Sequence, residues 1–98
     1  MTFTKYQFNN YCYWPSNPNK IVEFIGGSYL ASKPDLTYKR FIESLIKKNY
    51  AVHAFRYTPQ FDHQELAIKA WRDFKSCQRL LSKRIGRSVP TIRIGHSL

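Results

Sequence analysis

Acidic residues are scarce in this 98-residue chain, with six Asp and Glu against sixteen Lys and Arg and a formal charge of +10. An imbalance of this kind bears on association and solubility and leaves the fold open. It admits an anionic membrane surface or an acidic partner. Nucleic acid is set aside, because no binding motif accompanies the charge. Cysteine is nearly missing too. Cys12 and Cys77 stand far apart, with no C-x-x-C or Cys/His ligand spacing, so neither a zinc site nor a disulfide framework is implied and both are expected as buried thiols. No apolar run approaches the ~18 residues of a membrane helix, and the first residues lack the apolar core of a signal peptide. Repeats and low-complexity tracts are missing as well. With only four glycines, Gly26, Gly27, Gly86 and Gly95, each one can be read for its purpose.

What remains is a globular composition, 43% hydrophobic with seven Phe and seven Tyr. From Tyr6 to Trp14 aromatics recur among polar residues, as in an exposed or edge strand. Pro15 to Asn19 breaks it. Lys20–Ile25 is a β-rich run that meets Gly26-Gly27, the pattern of a buried strand opening into a loop. Asp35 or Thr37 can cap a helix whose apolar residues Tyr38, Phe41, Ile42, Leu45 and Ile46 recur at three and four, with Asn49 at its end. Tyr50–Phe55 reads as a second buried strand. Asp62 and Glu65, at capping-box spacing, start the longest helix, which is expected to bury Leu66, Ala67, Ala70, Trp71, Phe74, Cys77, Leu81 and Ile85. Arg72, Lys75, Arg79 and Lys83 take its opposite side. Gly86 stops it, and Val89–Ile94 forms a last strand.

Strand, helix, strand, helix, strand with short connections means parallel pairing and crossover helices. The expected class is therefore α/β, a three-layer sandwich around a mostly parallel central sheet. The pattern calls for more strands than 98 residues hold, so residues 1–98 are expected to be the N-terminal portion of a single larger domain.

The last strand runs into Gly95-His96-Ser97-Leu98. Gly-x-Ser-x-Gly marks a nucleophile elbow, in which a strand enters a tight turn with serine at its apex, and the closing glycine here would fall just past Leu98. Serine needs a histidine to remove its proton and a carboxylate to orient that histidine. In chains with this elbow both follow the serine, so a complete triad is not expected within these residues. An oxyanion hole needs only backbone donors. The Leu98 N–H would be one, and the N–H of Gly27 or Ser28, in the loop after the Lys20–Ile25 strand, the other. No cofactor or metal is implied.

These residues resemble the start of an α/β-hydrolase fold. More narrowly, Phe24-Ile25-Gly26-Gly27, Pro34, Leu36-Thr37-Tyr38, Phe61-Asp62-His63 and Gly95-His96-Ser97-Leu98 are similar to an α/β-hydrolase-like family of unknown function from cyanobacteria and plastids. The resemblance implies a partial fold cut at the elbow, in cytoplasm or plastid stroma. It also implies a strand order with the elbow strand beside the Gly26-Gly27 strand and the Tyr50 strand on the far side. A crevice then opens at their carboxyl ends, and a small acyl substrate is expected there. The other expectation is a scaffold that kept the fold without the reaction, docking on an anionic membrane or a protein through its basic helix face. His53 is expected as a core histidine, His63 as a helix-start residue, and His96 as a packing residue beside the serine.

Overall fold

The computed structural model describes residues 2–25, 39–56 and 62–95. In chain order these form β1 (Thr2–Gln7), β2 (Asn10–Pro15), β3 (Lys20–Ile25), α1 (Lys39–Lys47), β4 (Tyr50–Phe55), α2 (His63–Ile85) and β5 (Thr91–Gly95). The strands make one sheet in the order β1-β2-β4-β3-β5. β3 pairs parallel with both β4 and β5, whereas β2 runs antiparallel to both β1 and β4.

The class is α/β, but the expectation of a mostly parallel sheet is corrected: the sheet is mixed, with two antiparallel and two parallel junctions. The reason lies in the first fifteen residues. What reads as one aromatic strand is a hairpin of two, turning at Phe8 and Asn9, which both take positive φ (48° and 58°). Two-residue hairpin turns of the I′ type need that geometry at both central positions and usually advertise it with Asn-Gly or Asp-Gly. Phe-Asn sends no such signal.

Alternation along the strands sorts the core into two layers. Val22 and Val52 pack with Ile42 and Leu45 of α1. Their chain neighbours Ile21 and Ala51 point the other way and pack with Cys12, Trp14, Cys77 and Leu81 beneath α2. The N-terminal half of α2 covers Phe55 with Leu66, Ala70 and Phe74. Among the described residues one helix lies on each face, which gives three layers.

α2 begins as its sequence directs. Asp62 accepts hydrogen bonds from the Gln64 N–H (2.8 Å) and the Glu65 N–H (3.4 Å). It ends at Gly86, left-handed at φ 76°, whose N–H donates to the Ser82 carbonyl. Asn49 closes α1 in the same manner at φ 64°. Within α2 the expected stripe is too wide: Ala67 is exposed and Trp71 is 54% exposed. These two lie at helical spacing from Gln78, on the flank turned toward β5, so they border the buried stripe without entering it. Among the described residues no helix is long and apolar enough to cross a membrane.

Candidate functional site

Gly27, Ser28, Ser97 and Leu98 all lie outside the described residues, as do His96, Pro34 and Leu36-Thr37-Tyr38. The strands leading to them are described. β3 and β5 are adjacent and parallel, and Ile25 and Gly95, the last residue of each, are register partners. Ile25 is also the partner of Phe55, the last residue of β4. Three strands therefore end level at one side of the sheet, with β3 in the centre. The chain passes from β3 to β4 on one side, then back across to β5 on the other. α1 and α2 lie on opposite faces, so the connections reverse direction about β3, between β4 and β5.

Directly below this rim runs a polar row that the sequence reading did not single out. Cys12, His53, Glu23 and Arg93 are successive register partners across β2, β4, β3 and β5, and Glu23 and His53 are fully buried. One strand holds a carboxylate in the middle of Ile-Val-Glu-Phe-Ile, and its neighbour holds a guanidinium in the middle of Thr-Ile-Arg-Ile-Gly. A carboxylate inside the buried apolar run of β3 was the available signal, since a buried charge needs a partner, whereas Arg93 reaches it from a side chain that is 43% exposed. Glu23 Oε1 accepts from Arg93 Nη2 (2.8 Å) and from Arg93 Nε (3.1 Å). Glu23 Oε2 accepts from the Gln78 amide of α2. The Arg93 guanidinium also lies 5.2 Å from the centre of the Phe74 ring.

His53 accepts a hydrogen bond at Nε2 from the Trp14 indole N–H (2.8 Å), which leaves the proton of the neutral ring on Nδ1, without a partner among the described residues. Burial lowers its pKa to about 3. A neutral ring facing α2 and held by Trp14 is a core histidine, as expected. Asp62 is engaged in capping α2. Cys12 and Cys77 are free and buried, their sulfurs 3.8 Å apart. Hydrogen bonding to Cys12 and burial push the Cys77 thiol upward. Among the described residues no cluster of His, Cys, Asp and Glu could hold a metal.

A family model described as protein of unknown function, DUF1350, matches residues 5–98. No curated protein matches the chain, and no solved structure does.

Proposed function

The chain belongs to the DUF1350 family of proteins of unknown function, and from that premise we propose that it carries the nucleophile and the oxyanion hole of a serine hydrolase of the α/β-hydrolase kind. The observation that supports this most is the level ending of parallel β3 and β5 at Ile25 and Gly95. It starts the Gly26-Gly27 segment and the Gly95-His96-Ser97-Leu98 segment side by side. The order β4-β3-β5 is the one the resemblance implied, and the crevice it creates is where open α/β sheets take their ligands.

In this reading Ser97 Oγ attacks the carbonyl carbon of an ester, thioester or similar acyl bond, and its proton passes to a histidine held by a carboxylate. The oxyanion accepts hydrogen bonds from the N–H of Leu98 and the N–H of Gly27 or Ser28. Each such donor is worth ~3 kcal/mol in a comparable hole. Collapse of the tetrahedral intermediate expels the alcohol or thiol, and water then releases the acyl group. The buried row below contributes no acid or base. The test is a fluorophosphonate probe on the full-length protein. Labelling at Ser97 that vanishes in Ser97→Ala supports the reading, and a folded protein that takes no label overturns it.

A second reading rests on another surface. Arg72, Arg79 and Lys83 are exposed and Lys75 is half-buried, all on the side of α2 turned away from the sheet, with Ile68 and Trp71 exposed beside them. A basic stripe bordered by an indole suits an anionic membrane surface. Co-sedimentation with phosphatidylserine vesicles, lost in a variant with Arg72, Lys75, Arg79 and Lys83 all changed to Gln, supports it. Equal partitioning of wild type and variant removes it.

A further inference from the structure

We propose that Glu23 and Arg93 are positioning residues, a charge pair that sets the register of β3 against β5 and thereby ends the two strands level at Ile25 and Gly95. The inference rests on the serine-hydrolase reading for its consequence, and on the geometry of the sheet for its cause.

A parallel ladder of backbone hydrogen bonds repeats every two residues, so the backbone alone accepts β5 slid by one such step along β3. A slide of two residues carries Gly95 ~7 Å away from its level with Ile25. A bend displaced that far cannot share an oxyanion with the other. Such a slide costs the backbone only the pairs at one end of the ladder, so most of the discrimination falls to side chains.

Most side chains on the two strands resist it weakly. On the α1 face, Ile92 and Ile94 face Val22 and Phe24, and apolar residues of similar size exchange places at little cost. The α2 face differs. Glu23 is the one acidic residue of β3, and Arg93 is the one basic residue of β5. In the observed register they are partners, and the carboxylate, 1% exposed, has both oxygens engaged. Two residues either way sets Arg93 opposite Ile21 or Ile25 and leaves Glu23 buried with Gln78 alone. A slide of one residue turns Arg93 to the other face of the sheet, opposite Val22 or Phe24, and likewise takes it away from Glu23. Both errors leave the buried Glu23 carboxylate with Gln78 alone, and the native register does not.

Stability alone does not account for the pair. Taking a carboxylate fully out of water is expensive, and apolar side chains of similar volume commonly serve a core as well or better. What an apolar pair cannot do is discriminate between registers. Gln78 and Phe74 hold the two ends of the pair against α2, so helix and both strands are fixed to one another just below the rim.

The experiment uses the full-length protein with the paired replacement Glu23→Leu/Arg93→Leu, which keeps apolar packing, and with the single Arg93→Met. Thermal melting reports folding, cross-strand NOEs between β3 and β5 report register, and fluorophosphonate kinetics report the bends. The paired variant is expected to melt at or above the wild-type temperature and to show NOEs from more than one register. Its maximal labelling rate is expected to fall by about 10- to 100-fold, as small misplacements of reacting groups do, with the probe concentration for half-maximal rate unchanged. Arg93→Met is expected to melt lower. A paired variant that melts like wild type with one native set of NOEs overturns the inference. So does one that labels at the wild-type rate. Wild-type protein that takes no label overturns the hydrolase reading instead, and the NOEs then judge the pair on their own.

Discussion

His53 has the most direct consequence at the scale of single residues. In the unfolded chain its imidazole takes up a proton near pH 6.5, whereas in the folded chain it stays neutral down to about pH 3. Between those values the unfolded state binds more protons. The stability that depends on a neutral His53 is therefore complete above pH 6.5 and drains as pH falls toward 3, at a slope of ~1 kcal/mol per pH unit. His53→Gln leaves the Trp14 indole an acceptor and has nothing to titrate. Urea midpoints measured from pH 7 down to pH 4 should fall more steeply for wild type than for this variant, and parallel slopes would refute the assignment. Trp14 carries a further load at this spot, because its ring stacks on Phe3 (5.5 Å between centroids) while its N–H serves His53. Arg84 in turn lies 4.2 Å from the centre of the Phe3 ring, so a cation from α2 closes over the hairpin.

Among the elements, the β1-β2 hairpin carries strain at its turn. Phe8 at φ 48° holds a bulky side chain in a region where a β-carbon crowds the backbone. The change Phe8→Asn puts a residue that this turn prefers at its first position, keeps the Asn9 amide on Asp73, and should raise stability by ~1 kcal/mol. An unchanged or lowered melting temperature would show that Phe8 compensates through its contacts. The same turn explains why the hairpin was illegible in the sequence. By contrast β3, β4 and α2 could be read closely, since apolar runs bounded by Gly and Asn, and a helix bounded by Asp62 and Gly86, are local signals. The Glu23–Arg93 pair could not, because neither charge is explained until its partner strand is known. Trp71 misled for a related reason: helical periodicity states that a face is apolar, and not how wide a strip of it the sheet will cover.

At the scale of the molecule, among the described residues four of the five strands point one way and β2 opposes them. Strand order β4-β3-β5 was legible from the alternation of strand and helix together with the resemblance. The place of the hairpin in the sheet was not, because nothing in the aromatic spacing of residues 6–14 says which strand it will join. Distances along the chain differ sharply between the two sides of the sheet. Gln7 meets Asn10 across a two-residue turn, whereas Glu23 meets Arg93 across seventy residues. Short closures form early and long ones late. Pulse-labelled hydrogen exchange should find the β1-β2 amides protected before those of β5, and simultaneous protection would argue for a single concerted step. On a ribosome the same arithmetic makes the β3–β5 junction a late arrival. β3 emerges early and keeps one flank open until β5 has been synthesised and can dock there, its arginine meeting a carboxylate already in place.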